Sequence, residues 1–119
     1  MYTKPSAPPR GDYFSDLPGV RGKKRPAVVV QSDVYTGAVS TVVVAEITKN
    51  LALAGDPACL FIDVNTPEGK ATGLIHYSVV SCLLLATVDA DKVAQLLGSL
   101  SATMKQKLND CLKAGLGIP

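Results

Sequence analysis

A chain of 119 residues with 47% hydrophobic content can build one hydrophobic core but not two, which excludes a separate second catalytic domain. The formal net charge of +2 is too small for bulk attraction to nucleic acid, so any such contact must come from charge concentrated locally. The longest apolar run, "VVSCLLLATV" at residues 79–88, is about half of what a bilayer-spanning helix needs, and the expectation is a cytoplasmic protein that makes no membrane contact.

Residues 1–9, "MYTKPSAPP", hold three prolines and no apolar core, so they read as a disordered leader rather than a secretory signal, with residues 10–119 as a single domain. Between Arg10 and Arg25 five basic residues (Arg10, Arg21, Lys23, Lys24, Arg25) stand against two acidic ones (Asp12, Asp16), which makes a local basic patch. That patch runs directly into residues 27–30, a β-branched stretch that reads as a strand starting at Pro26. "TVVVAEI" at 41–47, "CLFIDV" at 59–64 and "SVVSCLLLAT" at 78–87 are three further strands. "NLALAGDPA" and "NTPEGKATG" between them are turn-rich. Short strands joined by turns point to a mainly β chain, a small antiparallel barrel or sandwich.

The last quarter changes period. Val93, Leu96, Leu97 and Leu100 have helical spacing, which predicts a short helix capped at Asp91 and stopped by Gly98. Ser101 then reads as the N-cap of a longer helix with a Met104, Leu108, Cys111 and Leu112 stripe and a break at Gly115.

Many catalytic constellations are absent from this sequence. His76 is the single histidine, so a chain acting alone has no two-histidine acid–base pair. No Walker loop, GxGxxG or GxSxG occurs. Cys59, Cys82 and Cys111 are isolated and lie in apolar surroundings, so they are expected as buried thiols rather than as a disulfide framework or a metal site. Asp89 and Asp91 are expected as helix caps, and neither a metal nor a cofactor is expected.

What remains is the basic loop and the polar strand ends. Arginine donates two charge-assisted hydrogen bonds to phosphate through a planar fork. Arg25 is anchored by Pro26 and the strand that follows, unlike Lys23 and Lys24. Thr48, flanked by Lys49 and Asn50, offers a hydroxyl at the end of the second strand. If the two strand ends are adjacent, one phosphate fits between guanidinium and hydroxyl. The competing reading makes Arg25 and Lys23 a solvated edge and Thr48 a turn residue.

"RGDYFSDL" at 10–17, "VRGKKRPAVVVQSDVY" at 20–35, "TVVVAEITKNL" at 41–51 and "GLIHYSVVSCLLLATVD" at 73–89 follow one another in an order that resembles the MazF/PemK (Kid) toxins of bacterial toxin–antitoxin modules. The tail "VAQLLGSLSATMKQKLNDCLKAGLG" resembles their closing pattern, a GxL strand and a terminal helix. The resemblance implies an SH3-like barrel of the CcdB/PemK/MazF type. It also implies a homodimer and neutralisation by a cognate antitoxin. The implied activity is metal-independent, sequence-specific cutting of single-stranded RNA, with the substrate 2′-hydroxyl as nucleophile and 2′,3′-cyclic phosphate and 5′-hydroxyl ends. By the same resemblance Arg25 in "KRPAVVV" and Thr48 in "EIT" are the catalytic residues.

Candidate RNA contacts are Lys23, Lys24, Lys49, Asn50 and Tyr77, the last by stacking on a base. The sequence departs from the family pattern in a short loop at 19–24, in Glu46 and Lys49 on either side of the Ile47–Thr48 pair, and in Ala86 before "TVD". Two rival functions share the barrel: a gyrase poison of CcdB type, and a barrel that binds RNA or antitoxin without cutting. The chain lacks the C-terminal Trp-Gly-Ile of the first and keeps Arg25 and Thr48, which favours the nuclease.

Overall fold

In Thr41–Thr48 successive side chains turn to opposite faces of a sheet: Ala45 and Ile47 enter one core cluster, Val42 and Val44 another. β-Branched residues suit a strand that is covered on both sides. Around this strand the computed structural model, which describes residues 12–18, 24–35, 38–92 and 95–119, builds one antiparallel sheet. Its strands are β1 (Asp12–Pro18), β2 (Lys24–Val29), β3 (Thr41–Thr48), β4 (Cys59–Ile62), β5 (Ser78–Asp89) and β6 (Gln95–Ser99), in the order β4-β5-β3-β2-β1-β6. The sheet curls into a half-barrel, and the C-terminal helix, α2 (Ala102–Leu116), packs against β4 and β5. A mainly β chain with a C-terminal helix is thus what the sequence leads one to expect. No helix among the described residues is long and apolar enough to cross a membrane.

The main core lies between α2 and the sheet. Met104, Leu108 and Cys111 on the helix meet Val28, Ile47, Leu60, Ile62 and Val80 on four strands. Fully burying one such aliphatic side chain contributes about 1.5–3 kcal/mol, so this interface dominates stability. The helix begins where the sequence marks it. Ser101 Oγ accepts from the Met104 N–H at 3.2 Å and donates to the Glu68 carboxylate, which ties α2 to the short helix α1 (Pro67–Ala71).

Three expectations need correction. Residues 95–99 form a strand, as the family pattern implies, and not the short helix that the leucine spacing predicts; a 3-10 turn at Ala90–Lys92 precedes them. Pairing with β1, which sets Tyr13 opposite Gly98 and Phe14 opposite Leu96, outweighs local periodicity there. α1 arises inside a segment read as turn, because Thr66 Oγ1 accepts from the Gly69 N–H at 2.9 Å and Pro67 occupies a first-turn position that needs no N–H. Finally, α2 ends at Gly117 rather than Gly115. Gly117 adopts the left-handed φ of 69° that closes the helix, whereas a Cβ on Gly115 would stand 2.9 Å from the Cys82 carbonyl oxygen, so that glycine serves a close approach. The leader at 1–9 and Lys23 in the short loop lie outside the described residues.

Candidate functional site

The antiparallel pairing of β2 with β3 sets Ala27 opposite Glu46, Val28 opposite Ala45 and Val29 opposite Val44. β2 begins at Lys24 and β3 ends at Thr48, so this antiparallel pairing brings the start of β2 and the end of β3 to the same end of the sheet. On its other side β2 pairs with β1, and the register shifts there between Phe14 and Leu17, across from Pro26. Proline supplies no N–H, and a bulge beside it lets the ladder resume at Arg25 opposite Leu17.

Beyond Thr48 the row continues. Thr48 is paired with Val79 on β5, and Val79 with Phe61 on β4. Glu46 and Ser81 form the next row on the same face, with Cys59 opposite Ser81. Glu46 lies opposite Ala27 on β2 and is partly buried.

Local hydrogen bonds fix how the chain leaves β3. Thr48 Oγ1 accepts from the Asn50 N–H at 3.0 Å, and Asn50 Oδ1 accepts from the Ala52 N–H at 3.0 Å. The Thr48 hydroxyl keeps its own hydrogen for donation. The turn that follows folds back so that Asn50 and Leu53 join Thr48, Val79, Ser81 and Leu84 around a shallow cavity of about 140 Å³, with Cys59 also on its wall. Ser81 Oγ accepts from the Leu83 N–H at 3.3 Å and from the Cys59 thiol at 3.8 Å.

Of the residues singled out from the sequence, Arg25, Thr48 and Asn50 come to one end of the sheet. Lys24 opens β2 opposite Pro18. Lys49 is exposed beside Thr48. Tyr77 is 44% exposed and stacks on Phe61 with ring centroids 6.0 Å apart, while its hydroxyl accepts from the Asn65 side-chain amide. His76 is exposed, and the Ser78 hydroxyl donates to its backbone carbonyl at 2.8 Å rather than to its ring. Val79, Ser81, Leu84 and Phe61 were not singled out. Their signal is a period of two that becomes meaningful only once the strand pairing shows which face each occupies.

The three cysteines are buried thiols with no disulfide among them, as expected. Burial pushes the Cys111 thiol above its ordinary pKa, and Cys59, Asp110 and Asp56 add to the shift by repelling a thiolate. No three His, Cys, Asp or Glu side chains among the described residues are grouped to hold a metal ion.

Comparison with known proteins adds independent findings. Residues 6–116 match the family model of the PemK-like, MazF-like toxins of type II toxin–antitoxin systems. Endoribonuclease MazF6 of Mycobacterium tuberculosis is 31% identical over 111 residues, which cover 89% of this chain and 93% of the relative. Endoribonuclease EndoA of Bacillus subtilis is 30% identical over 114 residues, 92% of this chain and 94% of the relative. Among solved structures, a mycobacterial endoribonuclease in complex with its cognate antitoxin superposes with a TM-score of 0.76 at 19% identity, covering 95% of this chain and 98% of the other, a likeness of fold.

Proposed function

The chain belongs to the PemK-like, MazF-like toxins of type II toxin–antitoxin systems, and on that premise we propose that it is a toxin that cuts single-stranded RNA at Arg25 and Thr48. What supports this reading is the antiparallel β2–β3 pairing, which brings the start of β2, with Arg25, and the end of β3, with Thr48, to the same end of the sheet. In this mechanism the nucleophile belongs to the substrate. The ribose 2′-oxygen bonds to the neighbouring phosphorus, the bond from phosphorus to the 5′-oxygen breaks, and the products end in 2′,3′-cyclic phosphate and 5′-hydroxyl. A proton leaves the 2′-hydroxyl and one reaches the departing 5′-oxygen.

Arg25 keeps its charge at any ordinary pH, so its role is to hold the phosphate and stabilise the extra negative charge of the five-coordinate phosphorus. The Thr48 hydroxyl donates to a non-bridging oxygen. Each such donor is worth roughly 100- to 1,000-fold in rate when it is aimed where charge develops. Lys23, Lys24 and Lys49 attract the phosphate chain, Asn50 reads or positions a nucleotide beside Thr48, and Tyr77 stacks a base. Neither metal nor cofactor takes part in this scheme.

The partners of this reading are single-stranded messenger RNA, a second copy of the chain in a homodimer, and an antitoxin. The mycobacterial structure of similar fold holds its cognate antitoxin, and here too an antitoxin would cover the basic loop and exclude RNA. Residues 10–119 act as one toxin domain in the cytoplasm, where messages are met. The test is incubation of wild type, Arg25→Ala and Thr48→Ala with a long single-stranded RNA in excess chelator, followed by mapping of fragment ends. Discrete cuts ending in cyclic phosphate, lost in both variants, are expected. Intact RNA from folded wild type would instead favour a gyrase poison or a barrel that binds without cutting.

A further inference from the structure

We propose that Phe61 and Tyr77 form a stacking platform for one base of the RNA strand that is cut at Thr48, and that this platform sets how far the substrate must extend on one side of the cut. The inference rests on the endoribonuclease reading above. It starts from Phe61, whose exposure contradicts its sequence context. In β4 its neighbours Leu60 and Ile62 are 6% and 0% exposed in the main core, whereas Phe61 is 41% exposed on the opposite face. The Tyr77 ring lies over it at 24° between planes. Two large aromatic side chains are thus held together outside the core, where a single apolar residue would call for no comment but a stacked pair is a surface for a flat, apolar ligand face.

The pair is also held in place. The Asn65 side-chain amide bonds the Tyr77 hydroxyl, and the Asn65 backbone N–H is bound by Asp63 Oδ1 at 2.9 Å, so the turn after β4 clamps the outer ring. A platform fixed before the ligand arrives loses little entropy on binding.

Continuity with the site chooses the occupant. Thr48, Val79 and Phe61 lie opposite one another on three adjacent strands, so Phe61 shares a row and a face with Thr48 at two strand spacings, roughly 10 Å. Val79 between them is short and 1% exposed, covered by its neighbours, and it lines the same shallow cavity as Thr48. An RNA strand crossing the sheet at right angles to its strands, with a phosphate at Thr48, brings a base onto the rings roughly one or two nucleotides away, and an aromatic face accepts any base.

Steady-state cleavage of a set of RNA oligonucleotides, shortened one nucleotide at a time from either side of the cut, tests the platform with wild type, Phe61→Ala and Phe61→Trp. Loss of one base–aromatic stack raises KM roughly 5- to 100-fold. The expected result is such a rise in Phe61→Ala with kcat nearly unchanged, and recovery in Phe61→Trp. Wild type should lose the same factor when the stacked nucleotide is removed, and Phe61→Ala should lose nothing further on that substrate. A purely structural role would lower the Tm and affect every length alike. Wild-type KM in Phe61→Ala at all lengths overturns the platform while leaving the nuclease intact. So does a variant that changes only the dimer mass or the affinity for antitoxin, since the pair would then serve a protein partner. Failure of wild type to cut any RNA overturns the underlying reading instead.

Discussion

Ile47 and Thr48 follow one another in β3 and meet opposite surroundings. Ile47 is 2% exposed, packed with Leu60, Ile62, Val80 and Leu108 beneath α2. Thr48 is partly exposed on the other face, its hydroxyl bonded to the turn that follows and its row leading through Val79 to Phe61. One face is apolar and sealed by a helix; the other carries the hydroxyl of Thr48 and, two strands away, the stacked rings of Phe61 and Tyr77. A strand end that is locked on one side is a rigid mount for the side chain on the other, which a site built by positioning requires. Substitutions on the two faces should therefore separate into effects on stability and effects on chemistry.

The largest separation is expected at Arg25. Arg25→Ala should lower kcat by roughly 100- to 1,000-fold, with an unchanged Tm in the same preparation. Arg25→Lys should recover only part of the loss, because a point charge replaces the two-pronged fork. On the sealed face the outcome reverses. Leu108→Ala should cost about 2–5 kcal/mol of stability in urea unfolding, yet cut RNA at the wild-type rate well below its Tm. A large fall in kcat with Leu108→Ala at low temperature would show that the two faces are not independent.

Ser101→Ala removes the N-cap of α2 and should cost about 1 kcal/mol, again without a change in kcat. The smallest effect concerns Cys111. Its raised pKa means that the folded chain keeps the thiol protonated while the unfolded chain, with an ordinary thiol, ionises first. This contribution to stability is complete below the ordinary thiol pKa and fades as pH rises through the folded value. Cys111→Ala should therefore flatten the alkaline end of a plot of Tm against pH.

The same contrast decides what could be read from the sequence. Runs such as 41–47 announce themselves because β-branched residues buried on both faces have few alternatives, and Ser101 marks a helix start through the chemistry of its hydroxyl. The basic run ending in Arg25 and the polar end of β3 were legible as candidates, since charge and hydroxyl groups at strand ends need a partner. Their adjacency depends on which strands pair, a long-range fact with no local signal. Residues 95–99 misled because leucines at helical spacing also serve a strand when β1 supplies its hydrogen bonds. Gly115 and Gly117 are alike in sequence and differ only through the proximity of Cys82. Phe61 stayed hidden inside "CLFIDV" for the same reason: alternation says that one of two faces is exposed, and only the packing of Leu60 and Ile62 beneath α2 says which.

The most direct test of the account is a short RNA carrying a single 2′-deoxy nucleotide on the 5′ side of the cut phosphate. If the substrate's own hydroxyl makes the attack and Arg25 and Thr48 only hold and stabilise, this RNA should bind as tightly as its all-ribose counterpart and remain uncut at that position. Cleavage there at a comparable rate would mean that water or a protein group attacks the phosphorus, and would contradict the account.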